Sequence, residues 1–338
     1  MASIHAWCGR TVAVVLLAVT LPTLFGKEPT EDAAVLPTRA PYDELTPKCD
    51  ELGKWGYVRV EDAIADKGVA WSIRPAFDAA ALFQEGVAGV KVGSQWGFID
   101  EDGRFLVQPR FSEVSDFVGG YAPVRTSAGW GYVNRQCKLV IPPQYEEASP
   151  FSEGLAPVSK GGKWGYINTL GAFVISPQFD DAAMFSEGIA AVRRGARMTY
   201  ILRDGKPLTD SLFDRAETFR YGRAAVMSEN RWGVLDSFGH LIVPFQFEDI
   251  SSQYSEGLAA AKSNGKWGFI DLRGTWVIQP TYDKANDFAH GLAVVVQGNK
   301  LCVVDPVGNV KRSYAIPARA EREKHAGPSC CEKNVFRK

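Results

Sequence analysis

The chain has 338 residues, enough for one long array or two ordinary domains, and its 46% hydrophobic and 23% charged content is that of a protein that packs a core. Lysine and arginine number 38 against 39 aspartates and glutamates, a net charge of −1, and no run of Lys or Arg makes a basic stripe. That balance excludes a nucleic-acid binder that works by neutralising phosphates.

The N-terminus differs in kind from the rest. Arg10 precedes an uncharged run from Thr11 to Gly26 that is short for a membrane span and fits a secretory signal with a one-charge n-region. Residues 1–26 are therefore expected to be a signal peptide, with no membrane insertion after its removal. A retained N-terminal anchor is the alternative, because the small-x-small triplet around Thr23 to Gly26 is poor. Residues 27–41 are polar with two prolines up to Ala40 and read as a linker.

From about Tyr42 to Ile316 one motif recurs. Trp-Gly stands at Trp55, Trp96, Trp130, Trp164, Trp232 and Trp267, at steps of 41, 34, 34, 68 (twice 34) and 35. The long step hides a copy in which Met198-Thr199 takes the Trp-Gly place, and one more step of 34 lands on Leu301-Cys302. An aromatic follows six of these Trp places by fifteen residues (Phe111, Tyr145, Phe179, Phe213, Phe247, Tyr282). A second aromatic and then a Gly keep phase as well. Several positions locked to one period define a repeat architecture of about eight units. The first unit is stretched, its excess lying between Val58 and Pro75, as terminal caps often are.

Within a repeat four short strands are expected. Leu155 to Ser159 alternates, Gly161-Gly162 turns the chain, and Lys163 to Asn168 (KWGYIN) is the strongest strand. Phe173 to Ser176 should pair back after the Thr169-Leu170-Gly171 turn, and Pro177 should end it for want of an N–H. Gln178 to Phe185 reads either as a short strand or as a helical turn. Gly within the Trp-Gly strand marks a close approach by a neighbouring ring or backbone. In KWGFID, Trp267 and Phe269 point one way and Ile270 the other, so each sheet is apolar on both faces. Such slabs must stack on their neighbours, which predicts an all-β fold of tandem ~34-residue repeats, either β-propeller-like with about eight small blades or an open β-solenoid. The Trp rings are expected to form the inter-repeat core. Residues 317–338 lose the period and read as a flexible tail.

Whole units such as GGKWGYINTLGAFVISPQFDDAAMFSEGIAAV at 161–192 resemble the WG repeat family, also called KWG repeats, over about residues 42–316. The resemblance implies a β-rich repeat common in bacterial proteins. It brings no general activity, ligand or catalytic residue. Met198-Thr199, Leu301-Cys302 and the stretched first unit depart from the pattern.

No catalytic constellation emerges, and no cofactor-binding or metal-binding residue is assigned. His5, His240, His290 and His325 are scattered, and Cys49, Cys137, Cys302, Cys330 and Cys331 fit no zinc spacing and leave disulfide pairing open. The repeated Ser-Glu-Gly (Ser152 to Gly154, Ser186 to Gly188, Ser255 to Gly257) could ring carboxylates for a cation. A turn with Gly at positive φ, and with Ser and Glu serving backbone donors, explains it more simply. Asp100, Asn134, Asn168, Asp236 and Asp271, with Gly following in most copies, are likewise turn chemistry. The function expected is an exported, non-catalytic repeat protein that binds a protein or a cell-envelope polymer. The variable loops Thr126 to Gly129, Arg193 to Arg197 and Glu61 to Lys67 are its candidate contacts. A polysaccharide hydrolase or lyase, or a purely structural envelope component, is the alternative.

Overall fold

The computed structural model describes residues 45–64, 70–251 and 254–316. The expected signal peptide (1–26), linker (27–41) and tail (317–338), together with Cys330 and Cys331, lie outside the described residues. Apart from one short helix, the described chain is strand and the turns between strands, arranged as eight small antiparallel sheets of three or four strands in chain order. It divides into two compact units, one running to Gly162 with Ile167–Ala172, the other comprising Lys163–Tyr166 and the chain from Phe173. No helix among the described residues is long and apolar enough to cross a membrane.

A full repeat is typified by the sixth Trp-Gly copy. A two-residue strand, Asp249–Ile250, pairs with Leu258–Ser263, which pairs with the Trp-Gly strand Lys266–Asp271, which pairs with Trp276–Tyr282. The KWGYIN segment is the strand Lys163–Asn168 as expected. The ambiguous piece from Gln178 is neither of the two forms anticipated. Phe179 ends one strand, Asp180 stands alone, and Asp181–Ala182 opens the next sheet by pairing with Arg193 and Val192.

Pro177 does not end its strand, which runs Phe173–Phe179. The reason is a bulge that the other copies share. Trp267 faces Tyr282 and Phe269 faces Ile278, so residues 279–281 stand opposite Gly268 alone. The proline sits in this bulge, where no ladder bond is asked of its nitrogen. A Cβ on Gly268 would lie 2.4 Å from the Ile278 carbonyl oxygen and 2.7 Å from the Pro280 nitrogen. The same near contacts recur at Gly56, Gly97, Gly131 and Gly165. The close approach anticipated at Trp-Gly is therefore backbone pressing on backbone.

The two faces of each sheet belong to different cores. Ala259, Ala261 and Ile270 pack with Trp232, Val234, Val243 and Phe247 of the preceding repeat. Leu258, Ala260, Phe269 and Ile278 pack with Ala293, Val295, Cys302 and Val304 of the following one. In the first unit, Tyr57, Ile73 and Phe77 likewise meet Ala88, Val90 and Ile99. Stacking of thin apolar slabs is thus the source of the core. Its deepest members are not the Trp rings. Trp164 and Trp232 are buried, but Trp55, Trp96, Trp130 and Trp267 are only partly so. The aromatic two residues on is the one sealed from water: Tyr57, Phe98, Tyr132, Tyr166, Tyr200 and Phe269. The Trp reaches the sheet margin, where Lys91 and Arg125 lie about 6.0 Å from the ring centres of Trp96 and Trp130. The extra residues of the stretched first unit hold a short helix, Val60–Ile64.

Candidate functional site

The polar residues that recur at fixed phase are the first place to look for chemistry. Each set turns out to serve the array's own backbone. At the end of the Trp-Gly strand, Asp100 Oδ1 accepts from the amides of Asp102 and Arg104, and Asp271 Oδ1 from those of Arg273 and Thr275. Asn168 and Asp236 do the same in their turns, and the Gly three residues on takes positive φ. Cys137 occupies that Gly place at φ 54 and is buried beside Val107. Burial pushes its thiol up to about 11. Cys137 and Cys302 are free thiols, and no disulfide joins Cys49, Cys137 or Cys302 to another of the three.

The Ser-Glu-Gly turns act between repeats. Glu187 Oε2 accepts from the Gly222 amide at 2.7 Å, and Glu256 from Gly291, each in the next copy of the same turn. Glu85 accepts from Gly120 and from Arg135 Nε, both at 2.9 Å. These carboxylates are therefore ties between neighbouring turns. Ser186 does not serve a donor as expected; its Oγ donates to the Phe219 carbonyl.

One set escaped sequence reasoning. The single residue between consecutive sheets is acidic in most copies. Asp180 accepts from Lys163 Nζ at 2.6 Å in the Trp-Gly strand behind it and from the Gly195 amide at 2.6 Å in the turn ahead. Asp78 (Lys54, Gly93), Asp283 (Lys266, Gly298) and Asp214 (Arg197, Glu229) repeat the clamp. The lysine bond, then the turn amide, hold the carboxyls of Asp78, Asp180 and Asp283 below the usual range. The signal was present in the text: a basic residue just before the Trp place and an acid seventeen residues after it, as in Lys163 and Asp180, Arg197 and Asp214, and Lys266 and Asp283.

Tyrosine hydroxyls are also spent internally. Tyr57, Tyr132, Tyr166 and Tyr200 donate to the carbonyls of Ala81, Ser149, Ala183 and Glu217 at 2.6–2.8 Å. Burial raises all four phenols well above their ordinary value.

The candidate loops separate by fate. Thr126 Oγ1 accepts from the Ala128 amide within its own turn. In the Arg193 to Arg197 loop, Arg193 donates to the carbonyls of Asp180 and Gly195, and Arg197 pairs with Asp214. Glu61 to Ile64 lie in the short helix, and the remainder of that loop is outside the described residues. Carboxyls raised by burial occur at Asp116, Glu217 and Asp287, all near the first strands of their sheets. A surface hollow is lined by Glu85, Asp100, Glu101, Asp102 and Arg135. Among the described residues no group of three or more His, Cys, Asp or Glu is placed to hold a metal.

The sequence matches the WG containing repeat seven times in tandem, over residues 70–96, 96–127, 130–164, 164–196, 199–232, 232–267 and 267–300. The chain belongs to the WG repeat family. No curated protein matches it in sequence. Among solved structures it is similar to a eukaryotic initiation factor, at 12% identity over 81% of this chain and 85% of that one, with a TM-score of 0.57. Weaker likenesses are to dihydro-heme d1 dehydrogenase NirN in complex with DHE (12%, 86% and 75%, TM-score 0.42) and to Kluyveromyces lactis Hsv2 (9%, 69% and 96%, TM-score 0.38). With eight small antiparallel sheets in series, the fold is β-propeller-like.

Proposed function

We propose that this protein is a non-catalytic binding module of the cell envelope, exported by its N-terminal segment, whose repeats present a surface to a protein or an envelope polymer. The observation that carries the reading is the fate of the recurrent polar groups. The turn Asp and Asn, the Glu ties and the acid clamps are bonded to the array's own amides and lysines. What remains for a partner is what differs between repeats. The tip of the turn after the Trp-Gly strand, or after its counterpart in the degenerate copies, carries Leu170, Phe238 and Val307 in three repeats, each more than two-thirds exposed, but Asp102, Gln136, Asp204 and Arg273 in four others. Such variation on a constant frame suits recognition.

The purified protein should retain a component of envelope extracts or bind a polysaccharide or peptidoglycan without consuming it. Reproducible turnover of a polymer, abolished by substituting one carboxylate, would replace this reading with the hydrolase or lyase. Sequencing the N-terminus of protein recovered from cells tests export; an intact Met1 on soluble cytoplasmic protein would overturn it.

A further inference from the structure

Sheet edges are where a β array risks unwanted pairing, and this chain guards nearly all of its own. Most first strands are only two residues long, and the exception, Leu45–Cys49, contains Pro47. The strands that follow the Trp-Gly strand, Trp71–Phe77, Phe105–Phe111, Leu139–Tyr145, Phe173–Phe179, Leu241–Phe247 and Trp276–Tyr282, each carry proline within the bulge. In the Met198-Thr199 copy the edge of the Trp-Gly strand is met by Leu208 and Phe213. Short strands, proline and bulges are the recognised devices against edge-to-edge association.

The last strand, Val310–Ala315, is six residues long, and its one irregularity, at Lys311, lies near its start and leaves Arg312 to Ala315 in regular pairing. It contains no proline, lies at the edge of its sheet, and all six residues are exposed. It pairs one-to-one with the Leu301-Cys302 strand across Leu301–Tyr314, Cys302–Ser313 and Val303–Arg312. The Ile316 amide donates to the Asn299 carbonyl, which fixes the alternation of the ladder. Arg312 and Tyr314 therefore turn their backbone groups inward, and Ser313 and Ala315 turn theirs out, while Lys311 is the unpaired residue of the irregularity. Tyr314 and Val310 stand half-exposed, Lys311 pairs with Asp305, and Arg312 makes no ion pair among the described residues.

We infer that Val310–Ala315 is a strand-addition site for an extended, acidic segment of a partner protein. The outward amides and carbonyls supply the ladder, Arg312 receives a carboxylate, and Val310 and Tyr314 receive apolar side chains. Charge selects against a second copy of this chain, since self-pairing would bring two Lys311 and two Arg312 into one ribbon. The inference deepens the binding-module reading and rests on it.

The test uses the full chain with a short peptide carrying Val, Glu and Val at alternate positions, so that all three share one face, its Lys-for-Glu counterpart and a proline-bearing control. The acidic peptide alone should bind, slowing hydrogen exchange at the amides of Ser313 and Ala315 and leaving those of Arg312 and Tyr314 unchanged. Ser313→Pro removes one outward N–H without touching the internal ladder and should weaken binding about tenfold. Arg312→Glu, which leaves the backbone alone, should shift preference to the lysine peptide. Absence of binding, equal affinity in both variants, or outward amides already protected in the free protein would each overturn the site. So would a dimer that Ser313→Pro dissolves. Retention of envelope components by wild type and Ser313→Pro is measured alongside. Equal retention with no peptide binding removes the edge site alone, whereas polymer turnover removes the binding-module reading whatever the peptide does.

Discussion

The regular repeats and the two irregular ones solve the same strand-pairing problem differently. Where Trp is followed by Gly, the fourth strand carries its proline bulge directly against the glycine Cα. In the Leu301-Cys302 copy the glycine is gone and so is the bulge: Cys302 faces Ser313 in an ordinary ladder. In the Met198-Thr199 copy the fourth strand itself is missing, its sheet has three strands, and Thr199 Oγ1 donates to the Ser211 carbonyl at 3.1 Å. Glycine and bulge therefore form one device, kept or lost together. The Trp-Gly mark is a record of where the fourth strand folds over its neighbour.

The sharpest way to break that comparison is to add a methyl group. Gly268→Ala should cost about 3 kcal/mol or more, because the clash is with backbone that cannot rotate away. Cys302→Gly, in the copy without a bulge, should cost much less. Equal losses in chemical denaturation would show that the two devices are not distinct. Trp164→Ala comes next, at roughly 3–5 kcal/mol for a buried ring, with Trp130→Ala smaller because that ring is partly exposed. An unchanged denaturation midpoint for Trp164→Ala would count against stacking as the source of the core. Tyr132→Phe removes the bond to the Ser149 carbonyl and should cost about 1 kcal/mol, while the reverse change, Phe269→Tyr, should bring no equal gain.

The smallest effects lie in acid. The carboxyl of Asp180 is held below its unfolded value, so its contribution is complete above the unfolded pKa near 3.8 and lost as pH falls through the depressed folded value. The stability gap between wild type and Asp180→Asn should therefore close below about pH 4. Glu217 has the opposite sign. Its folded pKa is raised by burial, so its charge opposes folding near neutrality, and Glu217→Gln should stabilise there. That advantage should fade as pH falls through the raised pKa. A pH-independent difference in either variant would mean that the carboxyl charge is not the cause.

Much of the architecture was legible because it is local. The 34-residue period, the KWGYIN strand, the turn aspartates and the two-faced slabs all follow from residues within a few positions of one another. Pro177 misled because a bulge cannot be read from one strand; it is defined by what stands opposite, here Gly165. The Trp rings drew the eye by size, yet period-2 alternation alone does not say which of Trp164 and Tyr166 lies nearer the middle of the slab. The clamp from Lys163 to Asp180 and the tie from Glu187 to Gly222 span seventeen and thirty-five residues. Only phase-matching of charged residues, as was done for the aromatics, would have exposed them. For binding, the sequence points to variable loops, and two of those proved to be held by internal bonds.

The single acidic residue that joins one sheet to the next leaves no slack in the chain. Its carboxylate reaches back to one sheet's lysine and forward to the next sheet's turn, so a cut through the middle of a unit would strand one half of every clamp it crossed. Gain or loss of a whole unit keeps every clamp paired, and the long insertion of the first unit, between Lys54 and Asp78, leaves its clamp closed as well.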